Sequence, residues 1–83
     1  MTRCLLVDDD SAIRDLLVDY LRPFGMSVEA LHDGAGLRRR LPTAGVDILL
    51  LDLMLPDESG LALCQWVKQS SPELPVIMLT AQG

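Results

Sequence analysis

One stretch of the sequence constrains the fold more than any other, because a run of aliphatic residues ends there in a carboxylate. The run covers residues 48–51, with Val46 just before it, and Asp52 follows it directly. A strand this apolar is typical of a parallel sheet that is covered on both faces. Pro56 and Gly60 indicate a turn shortly afterwards, and we predict a helix beyond it. In open α/β sheets ligands bind at the carboxyl ends of the strands, so Asp52 is a candidate functional residue.

Short apolar strands and amphipathic helices alternate along the whole chain. We predict strands over residues 4–7, 26–31, 46–51 and 76–79, with a helix between each pair of successive strands. The hydrophobic residues make up 49% of the chain and the aromatic residues only 4%, so the core is aliphatic. The order β-α-β-α-β-α-β with short connections predicts an α/β fold with a doubly wound parallel sheet.

The predicted helices are delimited by capping residues, prolines and glycines. Ser11 is the expected N-cap of the first helix, which Pro23 and Gly25 end. A short second helix follows a turn or cap at Asp33 and is expected to stop at Pro42. The third helix is predicted to run from about residue 60 to about residue 69. The residues expected to face the core are Ile13, Leu16, Leu17, Tyr20 and Leu21, then Leu37 and Leu41, then Leu63, Cys64 and Val67.

Length, charge and cysteine content exclude several classes of protein. A chain of 83 residues forms at most one domain, and its net charge of -5 argues against nucleic-acid binding. Cys4 and Cys64 are far apart in apolar runs, so we expect reduced core thiols in a cytoplasmic protein. The N-terminus does not resemble a signal peptide, and no apolar run is long enough to span a membrane.

The end of the chain leaves the predicted sheet incomplete. Only Thr80, at the carboxyl end of the fourth strand, and residues 81–83 follow that strand, so no helix covers it on its outer side. We therefore expect residues 1–83 to be the N-terminal portion of a larger domain. An uncovered apolar strand invites pairing with a second copy, so we expect a homo-oligomer that forms through the edge of the fourth strand.

Acidic and hydroxyl side chains follow three of the predicted strands. Asp8 and Asp9 follow the first strand, Asp52 the third and Thr80 the fourth. Crowded carboxylates repel one another unless a cation is present, and oxygen ligands without cysteine or histidine favour Mg²⁺. Asp52 is then a candidate nucleophile for phosphoryl transfer, and the Thr80 hydroxyl a candidate donor to a phosphoryl oxygen.

These residues together resemble the receiver domain of bacterial two-component response regulators. The resemblance extends over the whole chain and rests on residues 5–10, 47–56, Gly60 and residues 75–81. It implies a flavodoxin-like strand order, a histidine kinase as partner and Mg²⁺ as cofactor. It also implies that the chain is not an enzyme, and that it regulates an output domain absent from this chain. The sequence of residues 53–63 is most similar to the receivers of winged-helix transcription factors. This similarity implies a DNA-binding output domain.

The resemblance also implies a role for each matching residue. Asp52 matches the phospho-acceptor, and Thr80 matches the hydroxyl that moves towards the phosphoryl group. The residues that match metal ligands are Asp8, Asp9, Asp52 and, through its backbone carbonyl, Met54. Met54 and Gln82 match positions that tune the lifetime of the phosphoaspartate. Receivers continue with a further helix, a fifth strand that carries a lysine, and a last helix. Lys68, predicted on the third helix, does not match that lysine.

Two other functions are compatible with parts of the sequence. Haloacid-dehalogenase-type phosphatases also form an aspartyl phosphate at a strand end, but they need a second aspartate where this chain has Met54. A truncated receiver that acts only as a self-association or interaction module is the other alternative.

Several polar residues also have an ordinary structural interpretation. The acidic strand ends are compatible with simple capping, and Asp10 with a charge at the start of a helix. Asp57 and Glu58 are expected to be solvated loop acids, and residues 38–40, three arginines, a solvated helix face. Trp66 lies off the predicted buried stripe, which suggests either an interface or partial burial against its own helix.

Overall fold

A computed structural model describes residues 1–79 of the chain, so Thr80 and Gln82 lie outside the described residues. The described residues form a four-stranded sheet with three α-helices. The elements in chain order are β1 (Thr2–Val7), α1 (Ser11–Leu21), a one-turn 3-10 helix (Arg22–Phe24), β2 (Met26–Leu31), α2 (Gly34–Ala44), β3 (Ile48–Asp52), α3 (Gly60–Ser70) and β4 (Val76–Leu79). The predicted order of strands and helices is confirmed.

All the strands of this sheet are parallel, and their order is β2-β1-β3-β4. The predicted α/β fold with a doubly wound, flavodoxin-like sheet is therefore confirmed. The most apolar strands, β1 and β3, lie at the centre, where Leu5, Leu49 and Leu51 are fully buried. The order places the carboxyl ends of β1, β3 and β4 next to one another at one edge of the sheet, which we call the carboxyl edge.

The helices cover both faces of the sheet. Leu37 and Leu41 of α2 and Leu63 and Val67 of α3 pack against one face. Leu17 and Leu21 of α1 pack against the other. The free thiols of Cys4, which is buried, and Cys64, which is partly buried, agree with the expected reduced state. Within residues 1–79, every helix is too short or too polar to cross a membrane.

The predicted buried stripe of α1 is only partly correct. Leu17 and Leu21 contact the sheet, but Leu16 and Tyr20 are 66% and 62% exposed. The apolar face of α1 is wider than the part of the helix surface that the sheet covers. The helix is rotated so that one flank of the stripe faces the sheet, which brings Arg14 to the carboxyl end of β1.

Two predicted element ends are corrected by the structure. Asp10, and not Ser11, is the N-cap of α1, since its carboxylate accepts the N–H groups of Ala12 and Ile13. Pro42 does not stop α2, because it lies in the last turn, where the loss of one N–H bond affects little remaining helix. The helix ends instead at Gly45, whose φ of 62° is the left-handed conformation that glycine adopts without strain.

Small shifts also separate the predicted from the observed strands. β1 begins two residues earlier than predicted, at Thr2, where it pairs with Met26. β3 runs from Ile48 to Asp52 instead of over residues 46–51. The carboxylate of Asp47 accepts the N–H of Arg3 at 2.8 Å, a side-chain bond at the point where the strand pairing starts.

Candidate functional site

Two buried aspartates meet at the carboxyl edge of the sheet. Asp8 directly follows β1, and Asp52 is the last residue of the neighbouring β3. The two strands pair with Val7 opposite Leu51, so the next residue on each strand is an aspartate. Asp8 is 5% and Asp52 7% exposed, whereas Asp9 is exposed. One carboxylate oxygen from each of Asp8, Asp9 and Asp52 lies within 4.8 Å of the others. We call these three residues the aspartate cluster.

The aspartate cluster carries more negative charge than its surroundings compensate. Burial raises the pKa of Asp8, and the charges of Asp52, Asp9 and Asp10 raise it further, against the hydrogen bond from Asp10 that lowers it. Within the described residues, the ion pairs of this protein do not include any member of the cluster. Buried carboxylates are normally paired or bound to a metal. An oxygen-only donor set that is deficient in positive charge fits Mg²⁺.

Main-chain donors fix one oxygen of each buried carboxylate. The N–H of Met54 donates to Asp52 Oδ1 at 2.9 Å, and the N–H of Asp10 donates to Asp8 Oδ1 at 2.9 Å. Among the described residues, neither Oδ2 atom has a hydrogen-bond donor. Arg14 Nη1 donates to the Asp8 carbonyl at 2.8 Å, which fixes the backbone at the end of β1. The sequence did not indicate this contact of Arg14.

A pocket of about 270 Å³ opens over the cluster. Its lining is acidic on one side and apolar on the other, since α1 and the end of β4 contribute hydrophobic side chains. The lining residues are Asp8, Asp9, Asp10, Ile13, Leu17, Asp52 and Leu79. Leu79 pairs with Asp52 in the sheet, and Thr80 follows Leu79 in the sequence. The pocket is large enough for a small anionic group together with a cation.

The loop after β3, residues 53–59, is fixed to α2 by contacts that the sequence analysis did not predict. The Asp57 carboxylate accepts the N–H groups of Gly34 and Ala35 at 3.0 and 3.1 Å. Glu58 forms a two-pronged ion pair with Arg38, with Nη2 to Oε1 at 2.8 Å and Nε to Oε2 at 3.0 Å. The loop thus folds back onto the start of α2: Asp57 is exposed, as expected, although hydrogen-bonded, whereas Glu58 is only partly exposed, so the expectation of a solvated acid is wrong for Glu58.

The three arginines of residues 38–40 are likewise not a uniform solvated face. Arg38 binds Glu58 and lies over the ring of Trp66, with 5.0 Å between its guanidinium carbon and the ring centroid. Arg40 pairs with Glu29 of β2. Trp66 is therefore partly buried beneath an arginine of the same protein. The sequence offered one usable signal, namely an acidic pair and an arginine-rich helix of complementary charge.

The structure places the predicted site residues in different positions. Asp8, Asp9 and Asp52 are brought together, and Asp10 is a helix cap, as its alternative interpretation held. Met54 contacts Asp52 through its N–H, while a metal-binding role for its carbonyl stays a prediction. Thr80 and Gln82 lie outside the described residues. Lys68 lies on α3, as predicted.

Two transcriptional regulators are similar to this chain over nearly all of its length. GltR of Pseudomonas aeruginosa is 46% identical over 81 residues, which is 95% of this chain and 34% of GltR. TrcR of Mycobacterium tuberculosis is 40% identical over 80 residues, which is 96% of this chain and 31% of TrcR. The chain thus spans about a third of the length of these curated relatives.

A solved structure and a family model agree with this similarity. The response regulator TrrA of Thermotoga maritima, solved in complex with Mg²⁺-BeF, superposes with a TM-score of 0.94 at 29% identity. The match covers 100% of this chain and 72% of TrrA. The family model described as "response regulator receiver domain" matches residues 4–83. The chain therefore belongs to the response regulator receiver domain family.

Proposed function

We propose that this chain accepts a phosphoryl group on Asp52 from a phosphohistidine of a histidine kinase, in the presence of Mg²⁺. The observation that carries the proposal is the aspartate cluster, in which a buried aspartate at the end of the central β3 lies beside two others. Membership of the receiver family supports it, because receiver domains of response regulators interact with histidine kinases. Receiver domains also generally bind Mg²⁺ at an acidic pocket, and they are generally not enzymes.

The proposed step transfers the phosphoryl group from a nitrogen of the kinase histidine to a carboxylate oxygen of Asp52. An Asp52 oxygen attacks phosphorus, and a P–O bond forms while the P–N bond to the kinase histidine breaks. The electron pair of the broken bond stays on the imidazole nitrogen. Met54 donates its N–H to Oδ1, so Oδ2 is the oxygen that lacks a described donor and serves as the nucleophile. The aspartyl phosphate then occupies the pocket over the cluster.

Asp8, Asp9, Asp52 and the backbone carbonyl of Met54 are the groups proposed to hold Mg²⁺. When bound, the ion neutralises charge on the cluster and on the phosphoryl oxygens. The chain's own residues set the geometry, since main-chain N–H groups orient both buried carboxylates. The hydrogen bond from Arg14 to the Asp8 carbonyl holds the end of β1 against α1.

Three further roles belong to the same proposal. The Thr80 hydroxyl donates to a phosphoryl oxygen after transfer. The side chains of Met54 and Gln82 tune how long the phosphoaspartate persists. Met54 is 67% exposed beside Asp52, so its side chain is free to limit the approach of water.

Residues 1–83 are proposed to be the N-terminal portion of a receiver domain within a longer regulator. Its relatives GltR and TrcR are transcriptional regulatory proteins, and each is about three times as long as the matched region. We propose that phosphorylation of Asp52 controls a DNA-binding output, and that these residues do not themselves contact nucleic acid. The net charge of -5 supports the second statement. A cytoplasmic location belongs to the same proposal.

The test is the intact mass after incubation with Mg²⁺ and a small-molecule phosphodonor. We expect one phosphoryl adduct on the parent chain and none on Asp52→Asn. Asp15→Asn is the matched control, since it removes an exposed acid of α1 outside the cluster and should label like the parent. Equal labelling of Asp52→Asn and the parent would overturn the assignment of the acceptor. Turnover of a generic phosphate monoester would favour the phosphatase alternative.

Self-association through β4 is a second candidate function. In the described sheet β4 pairs only with β3, and Ile77 is 48% exposed on this strand. An apolar strand with one free edge can pair with the same strand of another copy. The molar mass in solution, measured over a range of concentrations, tests this. A monomer at every concentration would count against it.

A further inference from the structure

The contacts between the loop of residues 53–59 and α2 form a second constellation of charged residues, outside the aspartate cluster. Its members are Asp57 and Glu58 of the loop and Arg38 of α2, with the N–H groups of Gly34 and Ala35. We call this set the loop clamp. The proposed phosphoryl transfer does not use any of these groups directly, so their function needs a separate explanation.

Asp57 binds the loop to the N-terminus of α2. Its two carboxylate oxygens accept one N–H each, from Gly34 and Ala35. These hydrogen bonds lower the pKa of Asp57, as expected for a carboxylate held by donors at the positive end of a helix. Asp33 caps the same helix through the N–H of Gly36 at 2.8 Å. The helix therefore has its own cap, and the bonds from Asp57 serve to attach the loop.

Glu58 adds a second attachment of higher geometric specificity. Both oxygens engage the fork of the Arg38 guanidinium, an arrangement that fixes direction as well as distance. Trp66 of α3 supports the guanidinium at 5.0 Å. Gly34 permits the approach, because a Cβ at this position would lie 2.6 Å from Glu58 Oε2. The glutamate therefore lies against the start of α2, and α3 acts on it only through Trp66, which supports the arginine.

The loop clamp is connected to the phospho-acceptor through a short piece of backbone. Met54, three residues before Asp57, donates its N–H to Asp52 Oδ1. The loop is tied at its two ends by Leu53 N–H to the Leu79 carbonyl and by Gly60 N–H to the Leu53 carbonyl. The clamp restrains the middle of the loop, which neither of these backbone bonds holds.

We infer that the loop clamp is a positioning device, in which Asp57, Glu58 and Arg38 hold the Met54 peptide so that its N–H fixes the carboxylate of Asp52. The inference deepens the proposed function and rests on it, because the proposed phosphoryl transfer is the reason why the Asp52 carboxylate must be oriented. Asp57, Glu58 and Arg38 are positioning residues and not catalytic residues, since they act on Asp52 through the loop backbone.

Amide hydrogen exchange in the full chain, without metal or phosphodonor, tests the structural half of the inference. Glu58→Ala should speed exchange of the Met54 amide about fivefold relative to the parent, as loss of a charge-assisted bond near a loop predicts. The Leu50 amide in the buried β3 reports global opening and should change less. Glu29→Ala is the matched control. It breaks the ion pair between Glu29 and Arg40, which also involves an arginine of α2 but lies away from the loop.

The functional half is the rate of phosphoryl adduct formation at saturating Mg²⁺ with varied phosphodonor. A positioning role predicts that Glu58→Ala lowers the maximal rate about fivefold, with little change in the donor concentration at half-maximal rate. Glu29→Ala should retain the parent's values for both. Asp57→Asn carries the same expectations as Glu58→Ala and replaces it if that variant does not fold.

Two results would overturn the inference. One is a Met54 amide that exchanges at the same rate in Glu58→Ala and Glu29→Ala. The other is equal acceleration of the Met54 and Leu50 amides, which would mean that the clamp only contributes global stability. If the parent chain takes no phosphoryl group, the proposed function fails. The amide exchange then still decides whether the clamp positions Asp52.

Discussion

Replacing Asp8 by asparagine should stabilise the metal-free protein, although it removes a proposed metal ligand. Asp8 is 5% exposed, and its oxygen lies within 4.8 Å of oxygens of Asp52 and Asp9. The change deletes one buried charge from a group of like charges. An asparagine amide oxygen can still accept the N–H of Asp10, so the hydrogen bond that orients this side chain is retained.

The magnitude follows from the separation of the charges. Two unit charges 4.8 Å apart repel by about 3.5 kcal/mol at an effective dielectric constant of about 20, and by about 0.9 kcal/mol in water. Because the cluster lies at the edge of the sheet beside an open pocket, we expect an intermediate gain. The free energy of unfolding of Asp8→Asn should exceed that of the parent by about 1–3 kcal/mol.

The dependence on pH has a definite sign. The folded-state pKa of Asp8 is raised, above all by burial, so ionisation of Asp8 weakens the folded state as the pH rises through that pKa. The advantage of Asp8→Asn is therefore complete above the folded-state pKa. It disappears below the pKa of the unfolded chain, where both states of the parent are protonated.

Urea unfolding followed by Trp66 fluorescence, first in a chelator and then in Mg²⁺, measures both effects. Mg²⁺ at about 100 times its dissociation constant should stabilise the parent by about 2.7 kcal/mol, and Asp8→Asn much less. The advantage of Asp8→Asn therefore shrinks in Mg²⁺, and the order of stability reverses if that advantage is smaller than the extra stabilisation of the parent. Asp15→Asn, an exposed acid of α1, controls for the change in net charge. A less stable Asp8→Asn in chelator, or a parent indifferent to Mg²⁺, would refute the reasoning.

Three other predictions follow from specific contacts. Gly60→Ala should lose about 3 kcal/mol in urea unfolding, because its Cβ would lie 2.4 Å from Leu53 Cα; a loss under about 1 kcal/mol would contradict the packing. Asp57→Asn should be less stable than the parent at neutral pH. Since the folded-state pKa of Asp57 is lowered, the difference should vanish as the pH falls through that pKa in urea titrations at several pH values; a constant difference would exclude the helix-terminus bonds as its cause. Ile77→Lys should abolish any concentration-dependent increase in molar mass, and an unchanged oligomer would exclude the β4 edge.

The features of the fold that the sequence predicted are those that depend on periodicity and chain order. The apolar runs identified all four strands of the described sheet, and their alternation with helices required parallel pairing. Parallel pairing alone brings Asp8 and Asp52 to the same edge of the sheet, whatever the side chains around them. The candidate site was therefore predictable from topology, before any contact between side chains was known.

The errors concern features for which several local solutions have similar energies. Asp10 and Ser11 are both good N-caps, and only the φ and ψ angles of the folded loop select the aspartate. A proline in the last turn of α2 removes one bond, which the packing of Leu41 offsets. The orientation of α1 depends on how much of its apolar stripe the sheet covers, a quantity that periodicity does not contain.

The loop clamp shows why the contacts of two acidic residues in a turn were not predicted. Asp57 and Glu58 follow a proline, which is typical of a solvated turn, and their partners lie more than 19 residues earlier in the chain. Only the parallel crossover places the start of α2 beside the loop after β3. The same topology therefore has two effects. It concentrates uncompensated acids in the aspartate cluster, and it pairs Asp57 and Glu58 with hydrogen-bond donors of α2. The repulsive group retains a capacity to respond to a cation, while the paired group keeps the neighbouring backbone in one conformation. The proposed phosphoryl transfer would use both, since it requires the site to gain positive charge while the Asp52 carboxylate keeps its position.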